Sequence, residues 1–436
     1  MQRRHFIKNS GLLLTGAAFF KQNLSFIIPV APSDQLNIGV IGINGMGWSN
    51  LQHALQCPGV RVVALCDVDE NVLNRRRAEL DGMHKDNSSV KLYKDYRHML
   101  DNKDVDVVII GTPDHWHALQ TVHACQAGKD VYVEKPAGNS IGECGAMIEA
   151  KNKYGRKVQV GQWQRSQEHM QEAISFVHSG KLGKIRTVKL WCYQGWMKPD
   201  EIKPDTAPPP GVDYDLWLGP ARKKPFNSAR FHFNFRWFWD YAGGLMTDWG
   251  VHLMDLAVWG MKESDPVSVS ALGGKFAYPD RAQETPDTLA ALYQFEKFNL
   301  LWDHAMGIDN GLFKKDHGIA FIGDNGTLQI DRSGWEVMEE DKGNPPVTVE
   351  RKSATGNPLR DHLQNLFDAI RNNNEKILRC SIDEAAQVAK VCQLGNIAYR
   401  SGKKLNWDAK SGKFTENKVN QEYLMAKYYN GYELKV

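Results

Sequence analysis

Little in this chain of 436 residues points to a disulfide scaffold, a zinc site or a nucleic-acid surface. The seven cysteines form no Cys-x-x-Cys pair and no other metal-ligand spacing, and most lie in apolar runs, so we expect buried, reduced thiols. The 54 basic and 51 acidic residues leave a net charge of only +3, which offers no charge excess for nucleic acid or a membrane surface. Internal repeats and low-complexity tracts are also lacking. The length suits two domains with full cores.

The hydrophobic stretch near the N-terminus is too short to span a bilayer. Arg3 and Arg4 precede a modest apolar run over residues 11–20. This pattern resembles a twin-arginine export signal, and the alternative is a chance basic start before a hydrophobic arm. We expect residues 1–33 to direct export of the folded protein to the periplasm. No small-x-small cleavage site is evident, so an uncleaved anchor stays open as the one expected membrane contact.

A strand, a glycine-rich turn and a helix begin at residue 36. A dinucleotide fingerprint has glycine at its first, third and sixth positions, and here Asn44 replaces the middle glycine. Asparagine is the residue that best tolerates a left-handed backbone in that place. The cofactor-binding residues predicted from this turn are Gly42, Asn44, Gly45, Met46 and Gly47.

An acidic residue ends the next strand. Asp67 follows the apolar run 60–66 at about the expected distance beyond Gly42. A carboxylate there accepts hydrogen bonds from the adenosine ribose hydroxyls and repels the 2′-phosphate of NADP. The sequence therefore favours NAD over NADP. The arginine run 75–77 further on has two interpretations, a phosphate contact or a solvated helix face.

A third strand, 105–110, leads through Thr112 and Pro113 into a helix. Both residues are expected at the cofactor. His115 and His117 lie in the first turn, where residues two apart do not face the same way, so we predict no metal site. His117 is interpreted either as a residue at the cofactor edge or as a structural histidine.

The next strand ends abruptly. Three β-favouring residues, 131–133, are followed by Glu134, Lys135 and Pro136, and proline cannot continue a ladder. Lys135 is therefore predicted at the carboxyl end of a strand, where open α/β sheets hold their ligands. We expect Glu134 and Lys135 to contact the cofactor.

Residues 111–113, His117, 127–129 and the Glu-Lys-Pro element 134–136 together resemble the signature of the glucose–fructose oxidoreductase and inositol dehydrogenase family, Gfo/Idh/MocA. The resemblance covers nearly all of the chain after the signal. It implies an α/β fold, with a Rossmann NAD-binding domain at 34–161 and a second α/β domain at 162–436 whose open sheet is mixed and mainly antiparallel. It also implies oxidation or reduction of carbinol carbons in sugars and cyclitols.

Asp248 and His252 are four residues apart, so on a helix they occupy one face, one turn apart. A base and its orienting carboxylate need that arrangement, although such a pair is also common on helix surfaces. Asp248-Trp249-Gly250-Val251-His252 also resembles the family's Asp-x-Gly-x-His element, which implies a catalytic pair opposite the lysine. The expected catalytic residues are Lys135, Asp248 and His252.

Residues 194–243 are irregular and rich in aromatic side chains. Such rings suit the C–H faces of a pyranose, and the alternative is that they cover one face of a sheet. In the family, the turn that carries Arg165 lies beside the substrate, and the alternative for this arginine is an interdomain ion pair. The expected substrate-binding residues are Trp163, Arg165, Tyr193, Arg236 and Trp239.

The expected reaction is hydride transfer between NAD and a small sugar or glycoside. An exported enzyme meets little free NAD, so the cofactor should be held tightly. Two alternatives stay open, a redox-neutral NAD-dependent glycosidase that acts through a keto-sugar and a non-catalytic sugar or redox sensor. The open face of such a sheet is normally covered by another subunit, so we expect a homo-oligomer, and the tyrosine-rich tail 417–436 is a candidate to wrap the neighbour.

Overall fold

The computed structural model describes residues 35–83, 89–263, 265–342 and 345–436. The predicted export signal at 1–33 lies outside the described residues. Within the described ranges, no helix has the length and apolar character needed to cross a bilayer. The seven cysteines lie buried with free thiols, as expected.

The first sheet is parallel and forms the Rossmann domain that the sequence predicts. Along the chain its elements are β1 (Leu36–Ile41), α1 (Gly45–Ala54), β2 (Val60–Cys66), α2 (Glu70–Met83), β3 (Lys91–Tyr93), α3 (Tyr96–Leu100), β4 (Val107–Ile110), α4 (Asp114–Gln126), β5 (Asp130–Val133), α5 (Ile141–Tyr154) and β6 (Val158–Val160). The strand order is β3-β2-β1-β4-β5-β6, so the chain changes direction between β1 and β4. Open sheets bind ligands at the carboxyl ends of strands beside such a switch point.

The second sheet has the order β14-β13-β12-β11-β7-β10-β9-β8-β15-β16. The elements are α6 (Glu168–His178), β7 (Thr187–Gln194), α7 (Tyr214–Leu218), α8 (Leu245–Asp248), α9 (Gly250–Met261), β8 (Ser268–Gly274), β9 (Thr288–Gln294), β10 (Asn299–Met306), β11 (His317–Ile322), β12 (Gly326–Asp331), β13 (Gly334–Glu339), β14 (Val349–Ser353), α10 (Pro358–Arg371), α11 (Ile382–Ser401), β15 (Leu405–Asp408), β16 (Lys413–Phe414) and α12 (Asn417–Tyr423). Strands β7 and β10 are parallel, and their other pairings are antiparallel. The predicted mixed, mainly antiparallel sheet is confirmed.

One face of this sheet packs on helices and the other is open. In β9, Leu289, Ala291 and Tyr293 are buried, whereas Ala290 and Leu292 between them are exposed. This alternation is typical of a sheet covered on one side only. The buried face packs against α6, α9 and α11, and the site described below lies at the end of this layer that meets the Rossmann domain.

Helix α10 returns to the Rossmann domain. Its Leu363, Leu366 and Phe367 share a core with Ile109 and Tyr132 of the parallel sheet. Helix α10 therefore belongs to the hydrophobic core of the Rossmann domain, although it follows the second sheet's strands in the chain.

The C-terminal tail packs on its own subunit. The Gly142 amide donates to the Leu424 carbonyl at 2.7 Å, and the Tyr428 hydroxyl donates to Glu143 at 2.8 Å. The ring of Tyr432 meets that of Trp116 edge-on, with 5.4 Å between the ring centroids. The tail thus covers α4 and α5 of the same chain.

Candidate active site

The glycine-rich turn packs directly on the loop that follows β4. Gly42 has a φ of +74°, and a Cβ there would lie 2.8 Å from the Gly111 carbonyl carbon. A Cβ on Gly47 would lie only 1.8 Å from the Gly42 oxygen. Asn44 has an extended backbone with φ −103° and ψ 163°, so the left-handed conformation expected for it is wrong. Gly45 takes the positive φ instead, and Asn44 accepts from the guanidinium of Arg75 at 3.3 Å.

A cavity of about 530 Å³ lies between this edge of the Rossmann sheet and the second domain. Its volume is in the range of small-molecule and cofactor sites. The predicted cofactor residues that line it are Gly42, Asn44, Gly45, Met46, Asp67, Thr112, Pro113, Glu134 and Lys135. Gly47 and His117 do not line it. The backbone amides that open α1 border the cavity at Gly45 and Met46, which suits an anionic pyrophosphate.

Backbone amides fix the position of the Asp67 carboxylate. Its Oδ2 accepts from the Ile43 amide at 2.9 Å, and its Oδ1 accepts from the Asp69 amide at 3.0 Å. Burial raises the pKa of Asp67 to about 6, although these amides pull it down. A carboxylate fixed at the end of β2 and lining the cavity fits the ribose hydroxyls of NAD.

His117 is a structural histidine. Its Nδ1 lies 2.7 Å from the Pro136 carbonyl oxygen, and its Nε2 lies 2.8 Å from the Thr112 carbonyl oxygen. Burial lowers the pKa of His117 to about 4. The ring therefore ties the loop after β4 to the loop after β5, and the alternative of a cofactor contact is not what the structure shows.

Lys135 and Asp248 form the ion pair that joins the two domains at the cavity. Lys135 Nζ donates to Asp248 Oδ1 at 2.5 Å and to the Asp248 carbonyl at 3.2 Å. Arg236 Nε lies 3.4 Å from the other carboxylate oxygen. Burial alone would raise the pKa of Asp248, but the charges of Lys135 and Arg236 outweigh it and hold the pKa well below its usual range. The carboxylate stays charged and fixes the lysine amine at the cavity wall.

His252 is buried in α9, and its Nδ1 has no hydrogen-bond partner among the described residues. Its ring lies 5.8 Å from that of Trp163. Burial lowers the pKa of His252 well below its usual value, with the charges of Arg332 and Lys135 in the same direction. The imidazole is therefore neutral, which is the form that accepts a proton.

The structure does not show Asp248 as the hydrogen-bond partner of His252. The helical geometry that would align them is interrupted at Trp249, between α8 and α9, and the carboxylate is taken by Lys135 and Arg236. His252 is also outside the residues that line the cavity, although the charges of Lys135 and Asp248 act on it. The four-residue spacing thus brings the two residues to one region but not into contact.

Arg236 is the predicted substrate residue that lines the cavity. Arg165 forms an ion pair instead, because its Nε donates to both oxygens of buried Asp255 at 2.9 Å and its Nη1 to Glu384 at 2.6 Å. Both partners belong to the second domain, so the ion pair of the alternative interpretation is present but does not join the two domains. Trp163 lies apart from the cavity but beside His252.

Tyr193 and Trp239 point elsewhere. The Tyr193 hydroxyl donates to Asp303 at 2.5 Å on the open face of the sheet, because Cys192 and Gln194 occupy the buried face. Burial raises the pKa of this tyrosine to about 12. Trp239 lies under the guanidinium of Arg400 at 4.7 Å. The predicted substrate contacts of Tyr193 and Trp239 are therefore corrected.

Asp114 and two aromatic residues were not predicted as site residues. Phe233 and Phe235 line the cavity from the second domain, and nothing in the sequence distinguished them from their neighbours. Asp114 is the first residue of α4 and lines the same cavity. Burial raises its pKa to about 8, and the charge of Lys135 limits the rise. Its place directly after a parallel strand was the available signal.

Two family descriptions match this chain. The first, an oxidoreductase family with an NAD-binding Rossmann fold, matches residues 36–162, and the second, the C-terminal α/β domain of the same family, matches residues 177–432. This chain belongs to the Gfo/Idh/MocA oxidoreductase family. Its cofactor is NAD, and the turn, Asp67 and the amides at α1 fit that molecule.

Curated relatives of this Gfo/Idh/MocA protein match over a limited stretch. A glycosyl hydrolase family 109 protein of Shewanella pealeana is 28% identical over 166 residues, which is 34% of this chain and 36% of that protein. An alpha-N-acetylgalactosaminidase of Shewanella oneidensis is 29% identical over 167 residues, with the same shares. The chain thus spans about 36% of the length of these relatives.

Solved structures share the fold over most of the chain. Aldose-aldose oxidoreductase of Caulobacter crescentus, complexed with glycerol, has a TM-score of 0.64 and 23% identity and covers 85% of this chain and 99% of that one. Levoglucosan dehydrogenase, complexed with NADH, has a TM-score of 0.64 and 16% identity over the same shares. These likenesses show the Gfo/Idh/MocA fold.

NAD affinity of this Gfo/Idh/MocA oxidoreductase should rise as the pH increases through about 6, the pKa of Asp67. Above that pH the carboxylate is charged and accepts from the ribose hydroxyls more strongly than the protonated acid, which is worth about tenfold in affinity. Isothermal titration with NAD between acidic and neutral pH checks this. Asp67→Asn should bind NAD more weakly with a flatter pH profile, and an unchanged profile in that variant would contradict the assignment.

Proposed function

We propose that this chain transfers hydride between a carbinol carbon of a sugar or cyclitol and a tightly held NAD. The observation that carries the proposal is the Lys135–Asp248 pair at 2.5 Å, which places a charged amine where the NAD cavity meets the second domain. A charged donor at that position stabilises negative charge that develops on a substrate oxygen. Neutral His252 supplies a proton acceptor in the same region.

The glycine-rich turn and Asp67 would hold NAD, which would supply hydride acceptance or donation when bound. Lys135 donates a hydrogen bond to the carbinol oxygen and lowers the cost of its alkoxide character. His252 takes the hydroxyl proton, and its low pKa keeps the ring neutral before that step. Asp248 positions the lysine, and Arg236 limits the negative charge that Asp248 presents to the substrate.

A sugar panel tests this proposal. The protein is purified with its cofactor, the cofactor is identified by mass spectrometry, and fluorescence of the bound nicotinamide is followed as each sugar or cyclitol is added. We expect at least one compound to change the redox state of the bound cofactor. Failure of every compound would contradict the proposal and favour a non-catalytic sugar or redox sensor.

A redox-neutral glycosidase is the second candidate, favoured by the names of the curated relatives, glycosyl hydrolase family 109 and alpha-N-acetylgalactosaminidase. Such an enzyme oxidises a carbinol, eliminates the aglycone, adds water to the resulting unsaturated keto-sugar and then reduces the ketone again. Chromogenic glycosides distinguish the candidates, because this enzyme would release aglycone with no net change in nicotinamide absorbance. A net change with no aglycone released would favour the dehydrogenase.

We propose that the folded protein is exported by the twin-arginine route, on the basis of Arg3 and Arg4 before the apolar run. Changing both residues to lysine keeps the charge and removes the arginine pair. We expect the exported fraction to fall in cell fractionation, whereas Lys8→Arg should leave it unchanged. Export of the double variant at the parental level would contradict the proposal.

We propose a homo-oligomer that uses the open face of the second sheet. Leu272 is 82% exposed, and on the adjacent strands Leu292 is 47% exposed and lies opposite Leu301. Exposed leucines on neighbouring strands are typical of a subunit interface. Leu292→Lys with Leu301→Lys should convert the protein to a monomer in light scattering, and Ile377→Lys, on another surface, should not. A double variant with the parental mass would refute this interface.

A further inference from the structure

Arg332, directly after β12, carries a charge that the described part of the chain does not neutralise. Its guanidinium joins no ion pair there, and its Nε is buried with no hydrogen-bond partner. The guanidinium carbon lies 4.9 Å from the ring centroid of Trp163 and 4.2 Å from that of Trp249. Two indole faces stabilise a cation but do not replace the hydrogen-bond acceptors that its N–H groups need. Arg332 is half-buried, and a buried N–H such as its Nε normally has an acceptor, so this side chain lacks an expected ligand.

The same two indoles connect Arg332 to two histidines. Trp163 lies 5.8 Å from His252, and Trp249 lies 5.0 Å from His317, between ring centroids. Each histidine has one buried ring nitrogen without a partner, Nδ1 in His252 and Nε2 in His317. An unpaired buried polar atom is costly, and three such atoms in one cluster indicate a position that a polar ligand fills.

The charges define the ligand. Burial lowers the pKa of Arg332 to about 10, so the guanidinium is positive at neutral pH. Burial also lowers the pKa values of His252 and His317, so both rings are neutral. Asp248 and Asp316 both act on Arg332, but neither forms an ion pair with it, because Asp248 is paired with Lys135 and Asp316 Oδ1 lies 2.8 Å from His317 Nδ1. A guanidinium without an ion-pair partner matches a ligand with one negative charge, whereas a phosphate monoester would bring nearly two.

We propose that Arg332 binds a carboxylate of the substrate, so that the sugar this enzyme acts on is a uronic acid or uronide. The planar guanidinium presents paired N–H donors that match a carboxylate, and indole rings over its faces leave its edges for that contact. The unpaired nitrogens of His252 and His317 accept from sugar hydroxyls or from the reacting carbinol. This inference rests on the proposed function, because it names the substrate class of the same site.

Matched sugars test the proposal on the full chain loaded with NAD. D-glucuronate and D-galacturonate each differ from glucose and galactose by a carboxylate in place of the terminal hydroxymethyl group. Binding is measured by isothermal titration and by quenching of tryptophan fluorescence, so turnover is not required. We expect at least one uronate to bind about 10- to 100-fold more tightly than its neutral counterpart, as a charge-assisted contact predicts.

Arg332→Gln should remove that preference, so that the ratio of uronate affinity to neutral-sugar affinity falls to about one, as expected when a charge-assisted contact is lost. Arg186→Gln is the matched control, because Arg186 is 70% exposed and pairs with Asp324 on the surface. Arg332→Lys keeps the charge without the planar, paired N–H donors, so it should retain part of the preference. This second variant keeps the test decisive if the glutamine variant does not fold.

The inference is overturned if neither uronate binds more tightly than its neutral counterpart in the parental protein, or if folded Arg332→Gln keeps the preference. Its failure is distinguishable from failure of the proposed function. Reduction of the cofactor by a neutral sugar, with no uronate preference, would leave the oxidoreductase and remove the carboxylate site. Uronate binding through Arg332, with no redox change by any sugar, would leave the carboxylate site and remove the oxidoreductase.

Discussion

His252→Ala and Lys135→Met should each reduce turnover by about 10²- to 10⁴-fold while NAD still binds, as expected on loss of an acid–base group. The histidine variant removes the proton acceptor, and the lysine variant removes the donor to the substrate oxygen. His252 does not line the NAD cavity, and Lys135 lines it without being part of the glycine-rich turn or of the hydrogen bonds of Asp67. Steady-state rates with the sugar found by the panel, together with NAD titration, check both parts of the prediction.

Loss of Lys135 also leaves a buried carboxylate with Arg236 as its remaining partner. Breaking a buried pair can cost about 3–5 kcal/mol of stability, so a slow Lys135→Met variant could simply be unstable. Lys135→Met with Asp248→Asn removes both charges and separates the two effects. We expect this double variant to regain thermal stability and to stay inactive. Lys297→Met, at a 74% exposed surface pair, is the matched control.

Parental turnover in either His252→Ala or Lys135→Met would refute the catalytic assignment. Recovery of activity in the double variant would show that Lys135 serves folding alone. A loss of NAD binding equal to the loss of turnover would place Lys135 in cofactor binding instead.

Gly47→Ala should weaken NAD binding about 10- to 100-fold and destabilise the protein by about 1–3 kcal/mol. The new Cβ would lie 1.8 Å from the Gly42 carbonyl oxygen, and a backbone atom in a tight turn cannot move aside without moving the turn. The same turn approaches Gly111, so the shift would deform the wall of the cavity. Equilibrium dialysis with NAD and thermal unfolding measure the two effects.

Gly145→Ala is the control for Gly47→Ala. A Cβ on Gly145, inside α5, meets nothing within 4 Å, so the exchange should leave NAD binding unchanged and stabilise the helix by about 0.5–1 kcal/mol. Equal NAD affinities in the two variants would contradict the view that close packing of the turn shapes the cofactor site.

Local signals in the sequence predicted much of the fold. The bounds of α11 follow from local sequence, because Ser381 and Glu384 form a capping box at its start and Gly402 ends it with a left-handed backbone. The end of β5 before Lys135 was equally predictable, since proline stops a strand. The cofactor turn followed from glycine spacing, although the reason given for Asn44 was wrong.

Side-chain direction was much less predictable. Tyr193 and Cys192 alternate on β7, and a shift of one residue in register exchanges their faces, so composition cannot tell which one meets the site. Arg165 was placed beside the substrate because the family resemblance implies it, but its partners Asp255 and Glu384 come from helices far along the chain. Arg332 carries no motif, and its importance emerges only when Trp163 and Trp249 are brought together by the fold.

Transfer of deuterium from substrate to cofactor tests the central claim most directly. The purified protein, with its own cofactor bound, is mixed with a sugar from the panel that carries deuterium on its carbinol carbons, and the cofactor is then released and weighed by mass spectrometry. The proposed hydride transfer predicts one deuterium in the recovered reduced nicotinamide, and none with His252→Ala in the same time. Reduced cofactor without deuterium, or no reduced cofactor with any labelled sugar, would contradict the account.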